Sequence, residues 1–194
     1  MGFAQRGTSL SRADGGRGIP MVHIYHGDGK GKTTAAMGLA LRAAGHDWRV
    51  RVTQFLKDGS SGEVRELAKL PGVEVDACPA AVLAGKFTFQ MTPDELARVR
   101  SAQDGMLARS AAELADGACD LVVLDEALDA ASTGTLDAAA LLELARAHGE
   151  RAEIVLTGRD PAPELIDLAD YVTEMRAVKH PYGHGVAARE GVEW

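Results

Sequence analysis

The chain has 194 residues, a length that suits one domain of ordinary size with its own buried core. Its 21 basic and 28 acidic residues leave a net charge of -7, which disfavours a general binder of nucleic acid or anionic membranes. The two cysteines are far apart and lack metal-ligand spacing, so we expect free thiols and a cytoplasmic location. No apolar stretch predicts a membrane span or a secretion signal.

Residues 1–20 are rich in glycine, serine and arginine, a composition that cannot bury enough apolar surface to fold alone. We expect a flexible N-terminal arm there and one folded domain over residues 21–194. A second interpretation stays open, in which Arg6, Arg12 and Arg17 order this arm over an anionic ligand.

From Met21 onward, short β-branched runs alternate with helical patterns. The runs predict strands at residues 22–25, 50–55, 73–76, 121–124, 154–157 and 171–175. The patterns between them predict helices at residues 32–44, 93–115, 137–147 and 163–169. Thr92, Pro93 and Glu95 form the clearest helix start, with a capping box. Apolar strands joined by helices predict an α/β fold whose parallel sheet carries helices on both faces.

The strongest chemical signal is a glycine-rich loop between the first strand and the first helix. We call residues 27–34 the phosphate loop, and they read Gly27-Asp28-Gly29-Lys30-Gly31-Lys32-Thr33-Thr34. Glycines let backbone N–H groups face a phosphate chain, and the helix N-terminus adds partial positive charge. Lys32 can reach the phosphates and Thr33 can ligate Mg²⁺. His26 stands where the usual pattern has its first glycine, so we expect a tighter loop that binds a nucleotide.

Two acids, Asp125 and Glu126, follow the wholly apolar strand at 121–124. The carboxyl ends of parallel strands meet at one edge of a sheet, so both acids are predicted to lie beside the phosphate loop and to hold Mg²⁺. Alone, such a pair is more often a helix cap or a solvated turn. Arg159 follows another strand, and two interpretations stay open for it: a clamp on phosphate or carboxylate, and a solvent-facing turn residue.

Two aromatic residues, Phe87 and Phe89, precede the long helix in a chain that is only 5% aromatic. Core packing is the default for such residues, whereas on a loop they can cover a flat apolar ligand. His180 and His184 lie in the C-terminal tail, where Pro181 and Gly183 disfavour a helix that would align them on a metal. We expect no metal site there.

Seven segments in this order resemble a known family over most of residues 21–194. They are residues 27–34, 54–57, 87–89, 124–126, 156–159, 172–175 and 178–182. The family is the P-loop class of ATP:corrinoid adenosyltransferase, whose members share the shortened loop. The resemblance implies a P-loop NTPase-like domain that transfers the 5′-deoxyadenosyl group of ATP to Co(I) of a corrinoid and releases triphosphate.

The resemblance also implies roles for individual residues. Lys32, Thr33 and Glu126 would stabilise the leaving triphosphate, with Mg²⁺ held by Thr33, Glu126 and Asp125. The nucleotide would be bound by the phosphate loop, that is Gly27, Asp28, Gly29, Lys30, Gly31, Lys32, Thr33 and Thr34, together with Arg159. Phe87 and Phe89 would replace the lower axial ligand of the corrinoid, and Phe89 stands where the family usually has Trp. A flavin-dependent reductant and a homodimer are implied as well.

Two other functions stay open at the level of sequence. One is a P-loop phosphotransferase or small ATPase that cleaves the β–γ bond, for which Arg159 is a candidate catalytic arginine. The other is a carrier that binds nucleotide or corrinoid without reaction. The aromatic loop at 87–89 favours the adenosyltransferase, because a phosphotransferase has no need of it.

Overall fold

A computed structural model describes residues 19–193 of the chain. The predicted N-terminal arm therefore lies outside the described residues except for Ile19 and Pro20, as does Trp194. Within this range six strands form one sheet in the order β3-β2-β4-β5-β1-β6, and every neighbouring pair is parallel. The strands are β1 (Val22–His26), β2 (Val50–Gln54), β3 (Val73–Ala77), β4 (Leu121–Asp125), β5 (Glu153–Thr157) and β6 (Tyr171–Glu174).

Helices connect the strands. They are α1 (Lys32–Ala44), α2 (Gly62–Leu67), α3 (Ala80–Leu83), α4 (Pro93–Ala115), α5 (Ala127–Ser132), α6 (Ala138–His148) and α7 (Pro163–Leu168), with 3₁₀ turns at Thr88–Gln90 and Pro181–His184. All six predicted strands and all four predicted helices are confirmed, and their ends agree within one residue. Helices α2, α3 and α5 were missed because four to six residues are too few for a periodic pattern.

The core consists of two apolar layers, one on each face of the sheet. Alternate residues of β4 show the division, because Leu121 and Val123 pack with α1 and α2, whereas Val122 and Leu124 pack with α4 to α7. The prediction of helices on both faces is therefore confirmed. No helix within residues 19–193 has both the length and the apolar character to cross a membrane.

Helix α1 starts beside the carboxyl end of β4, although β1, from which the chain enters it, is two strands away. The strand order makes this possible, because β5 alone separates β1 from β4 and α1 packs over β1, β4 and β5. The phosphate loop consequently meets Asp125, the last residue of β4, and Glu126, which follows it, at one edge of the sheet, as in other open α/β folds.

Helix α4 begins with the predicted capping box. The Thr92 hydroxyl accepts a hydrogen bond from the Glu95 amide at 3.3 Å, and the Glu95 carboxylate accepts one from the Thr92 amide at 2.8 Å. The Lys86 ammonium donates to the other carboxylate oxygen at 2.6 Å. Lys86 first and the Thr92 amide second lower the pKa of Glu95 to about 2.

We expect Glu95→Gln to destabilise the protein only where Glu95 would be ionised. The pKa of Glu95 is lowered on folding, so its contribution is complete above the unfolded value of ~4.3 and is lost as the pH falls toward about 2. Urea unfolding at several pH values should show a difference between wild type and variant that shrinks over this window. A difference independent of pH would contradict the account, and Lys86→Met should weaken the pH dependence of the wild type.

Candidate active site

The phosphate loop turns directly from β1 into α1. Gly27 and Gly31 have φ angles of 105° and 116°, a left-handed conformation that side chains other than glycine rarely adopt. The Lys32 ammonium donates to the carbonyls of Gly27 at 2.7 Å and Gly29 at 2.9 Å. The loop thus holds the first lysine of α1 over its own backbone, at a helix N-terminus suited to an anion.

Close packing against Met175 also requires glycine at two positions of this loop. A Cβ at Gly27 would lie 2.4 Å from the carbonyl oxygen of Met175, and one at Gly29 would lie 2.7 Å from it. The Gly29 amide donates to that same oxygen at 2.7 Å, while the Met175 amide donates to His26 at 2.7 Å. Met175 follows β6 directly, so the end of this edge strand supports the loop from outside.

A fully buried carboxylate lies at the centre of the site. Asp125 ends β4 with no exposure to solvent. Its Oδ1 accepts hydrogen bonds from the hydroxyls of Thr33 at 2.9 Å and Thr157 at 2.7 Å. Its Oδ2 accepts from the Gln54 amide at 3.0 Å and from the Lys57 ammonium at 3.3 Å. Four donors from α1, β5, β2 and the loop after β2 therefore compensate one buried charge.

The second acid, Glu126, adopts a strained backbone conformation. Its φ of 60° lies in the left-handed region, and its amide donates to the Thr157 hydroxyl at 2.9 Å. The same hydroxyl donates to Asp125, so Thr157 fixes both acids relative to each other. Glu126 remains partly exposed, with its carboxylate turned toward Lys57 at 3.1 Å.

Lys57 joins the site although the sequence patterns predicted no role for it, and segment 54–57 was named only for its resemblance. Its ammonium lies 3.3 Å from Asp125, 3.1 Å from Glu126 and 3.2 Å from the Thr33 hydroxyl. Burial disfavours the charged form, but the two carboxylates outweigh it and raise the pKa of Lys57, which is therefore cationic at neutral pH.

Gln54, Thr157 and Lys57 were all missed as individual site residues. Gln54 and Thr157 are polar residues at the carboxyl ends of β2 and β5, and this position next to the predicted site is a signal that could have found them. Lys57 lies three residues beyond the end of β2 and carries no such signal.

Arg159 lies beside the start of the phosphate loop. Its carbonyl accepts a hydrogen bond from the Gly27 amide at 3.2 Å, and its side chain is exposed. Burial first and Glu126 second raise the pKa of Asp129, and they outweigh the nearby charge of Arg159, which lowers it. At Gly158 a Cβ would lie 2.5 Å from the Cβ of Leu128, so this glycine lets β5 end against α5. A role for Arg159 toward phosphate stays a prediction.

Other predicted nucleotide-binding residues face the C-terminal segment or solvent. Asp28 accepts a hydrogen bond from the Ala177 amide at 3.0 Å, and Lys30 donates to the Val192 carbonyl at 2.9 Å. Thr34 is exposed in the first turn of α1. The structure therefore joins Thr33 to Asp125 directly and to Glu126 through Lys57, and it holds Lys32 over the loop. The Asp28 and Lys30 side chains contact the tail instead.

Phe87 and Phe89 form an exposed stacked pair. Their ring centroids are 5.5 Å apart with an interplanar angle of 6°, and the residues are 69% and 83% exposed. The default interpretation, that they fill the core, is wrong. The Phe87 amide donates to the Gln90 side chain at 3.0 Å, which closes the turn that carries both rings. This turn follows β3, an edge strand that β2, β4 and β5 separate from β1.

The oxygen atoms around Lys57 are those that a hard divalent cation prefers. Within residues 19–193 no group of three or more His, Cys, Asp and Glu side chains could hold a metal ion. Thr33, Asp125 and Glu126 nevertheless place a hydroxyl and two carboxylates around a single cationic nitrogen. Carboxylate and hydroxyl oxygens, completed by phosphate and water, are the usual ligands of Mg²⁺ in nucleotide sites.

Comparisons with known proteins identify the family to which the chain belongs. The family described as ATP:corrinoid adenosyltransferase BtuR/CobO/CobP matches residues 19–194. The corrinoid adenosyltransferase of Pseudomonas aeruginosa is 36% identical over 95% of this chain and 88% of its own length. Corrinoid adenosyltransferase CobA of Salmonella typhimurium is 35% identical over 95% of this chain and 90% of its own length.

Similarity to solved structures is more distant. ATPases 2 and 3 of EccC from Thermomonospora curvata, in complex with a signal sequence peptide, are 19% identical with a TM-score of 0.45. The match covers 84% of this chain and 32% of that one. The strand order and register of this chain therefore establish its fold, and the family match identifies its relatives. This chain belongs to the BtuR/CobO/CobP family of ATP:corrinoid adenosyltransferases.

Proposed function

We propose that this protein transfers the 5′-deoxyadenosyl group of ATP to Co(I) of a corrinoid and releases triphosphate. The observation that carries the proposal is the combination of a phosphate loop joined to a buried acid with an exposed aromatic pair on the connection between β3 and α4. Family membership over residues 19–194 supports the same activity. A phosphotransferase uses the first feature but has no need of the second.

The transfer requires C5′ of ATP, the electrophilic carbon, to be held next to Co(I), and it does not require a base. Co(I) supplies the electron pair that forms the cobalt–carbon bond, and the pair of the C5′–O bond leaves with the triphosphate while cobalt becomes Co(III). No proton has to be removed from the nucleophile, which suits a site without an evident general base. The work of the protein is to hold C5′ in line with cobalt and to stabilise charge on the leaving group.

The residues around the phosphate loop suit that task. We propose that Lys32 and the loop amides bind the triphosphate, with the Arg159 side chain and the amides of Asp28, Lys30 and Thr34 as further contacts. When bound, Mg²⁺ would neutralise part of the leaving charge, held by Thr33 and Glu126, with Asp125 beside it. Asp125 already receives four hydrogen bonds, which favours a role through water for this carboxylate.

The aromatic pair suits the corrinoid. A Co(II) corrinoid that keeps a lower axial ligand resists reduction, because the ligand raises the energy of the cobalt orbital that must receive the electron. We propose that Phe87 and Phe89 take the place of this ligand with apolar surface. Their exposure of 69% and 83% leaves both rings free to contact a substrate.

We further propose a flavin-dependent reductant as the electron source, a homodimer and a cytoplasmic location.

An anaerobic reaction with ATP, Mg²⁺ and chemically reduced cob(I)alamin tests the proposal. The expected result is a light-sensitive alkylcobalamin spectrum with triphosphate released in equal amount. ADP and phosphate without cobalt alkylation would instead indicate a phosphotransferase or ATPase. Tight binding without turnover would indicate a carrier.

We expect Thr157→Val to reduce kcat by about 10- to 100-fold, the range found when a supporting hydrogen bond to a metal-binding group is removed. Valine keeps the volume but removes the hydroxyl that joins Asp125 to the Glu126 amide. Thr135→Val is the matched control, since Thr135 is equally buried but donates to the Ala130 carbonyl in another part of the core. Steady-state kinetics with cob(I)alamin measure both, and equal losses would contradict the role of Thr157.

We expect Phe87→Ala to impair the reaction from Co(II) more than the reaction from Co(I). The ring is needed to exclude the lower ligand before reduction, whereas chemically supplied Co(I) no longer depends on that exclusion. Rates are measured with cob(II)alamin under a reduced flavin protein and with pre-reduced cob(I)alamin. Equal loss in both assays would contradict ligand displacement by the aromatic pair.

A further inference from the structure

The ammonium of Lys57 lies where the oxygens of the proposed magnesium site converge. Its three contacts, to Asp125, Glu126 and the Thr33 hydroxyl, measure 3.1 to 3.3 Å. We propose that Lys57 is an internal counter-ion that competes with the divalent cation and moves to the triphosphate when ATP binds. Metal binding thereby depends on nucleotide binding. The inference rests on the proposed function, because it takes the metal site from there.

The electrostatics of the two acids explain why a resident cation is needed. The Asp125 carboxylate is fully buried and Glu126 is adjacent to it in the chain, so their charges repel at short range. Neutral donors from Thr33, Thr157 and Gln54 satisfy hydrogen-bonding capacity but leave the net charge uncompensated. Lys57 alone among these partners supplies a full positive charge.

The ammonium and a divalent cation cannot share these oxygens. Ligand oxygens lie about 2.1 Å from Mg²⁺, so a metal on the Thr33 hydroxyl would lie within a few ångströms of the Lys57 nitrogen. The two cations would repel strongly at this distance. Lys57 therefore has to move away from these oxygens. Its side chain is 39% exposed and belongs to the loop that follows β2, so it has room to move.

The triphosphate gives Lys57 its second partner. Thr33 lies in the phosphate loop next to Lys32, so a nucleotide bound there brings negative charge to the side of the site that Lys57 already faces. Without nucleotide, metal entry costs the ion pairs of Lys57. With nucleotide, the lysine exchanges one set of anionic partners for another. Each ligand then raises the affinity for the other by the same factor.

Manganese binding, followed by the electron paramagnetic resonance signal of free Mn²⁺, tests this exchange directly. If the ammonium occupies the oxygens about nine-tenths of the time, its removal should lower the Kd for Mn²⁺ alone by about tenfold. We therefore expect Lys57→Met to bind Mn²⁺ without nucleotide about tenfold more tightly than wild type. ATP itself binds Mn²⁺, so binding by the protein is the loss of the free signal beyond that in a protein-free mixture with the same ATP. Measured in this way, ATP should improve Mn²⁺ binding by the variant less than it improves binding by wild type. Lys57→Arg, which keeps the charge, should resemble wild type.

A matched control is Lys86→Met. Lys86 is 41% exposed and pairs with the carboxylate of Glu95. Its substitution therefore also removes an ion pair, but with one carboxylate rather than with the two that Lys57 contacts. This variant should bind Mn²⁺ as wild type does. Near-ultraviolet circular dichroism checks that each variant is folded, and Lys57→Gln repeats the test with a polar neutral side chain.

The outcomes separate this inference from the proposed function. If wild type binds Mn²⁺ with ATP but Lys57→Met and Lys57→Gln show wild-type affinity for Mn²⁺ alone, the counter-ion role is wrong and the metal site stands. If wild type does not bind Mn²⁺ even with ATP, the metal site is wrong and the counter-ion role is wrong with it. An equal gain in Mn²⁺ affinity in Lys86→Met would also overturn the inference, because the gain would then follow from the change in net charge and not from the position of Lys57.

Discussion

The buried carboxylate of Asp125 has to be compensated inside the protein, and the way in which this is done organises the site. Its partners come from four places in the chain: α1, the end of β2, the loop after β2 and the end of β5. An unpaired buried charge is far more costly than any one of these hydrogen bonds. The requirement therefore holds the first turn of α1, and with it the phosphate loop, against the end of β4.

The proposed chemistry follows from what this cluster contains and lacks. It concentrates cations and backbone amides where a triphosphate would lie, and we have assigned no side chain the role of a base. Such a site suits a reaction whose nucleophile arrives activated and whose leaving group accumulates negative charge. The aromatic pair follows β3, which β2, β4 and β5 separate from β1. We propose that the nucleotide and the corrinoid bind next to each other at the carboxyl ends of β4 and β2.

Sequence patterns predicted the sheet and the long helices because both rest on local periodicity, and they predicted the phosphate loop because its glycines are adjacent in the chain. They could not predict contacts that need the tertiary fold. Lys57 enters the site only because β2 lies beside β4, and Met175 supports the loop only because β6 pairs with β1. The exposure of Phe87 and Phe89 was left open by the sequence for the same reason. No local pattern distinguishes an aromatic residue in a core from one on a loop.

The central claim is that the phosphate loop holds triphosphate as a leaving group while carbon is attacked. ATP labelled with ¹⁸O at the oxygen that bridges C5′ and the α-phosphorus tests this most directly, in an anaerobic reaction with cob(I)alamin followed by mass spectrometry. The account predicts that the triphosphate product retains the whole label, because the C5′–O bond breaks. Label retained in adenosine or in ADP would mean that a phosphorus–oxygen bond breaks instead, and the account would be wrong.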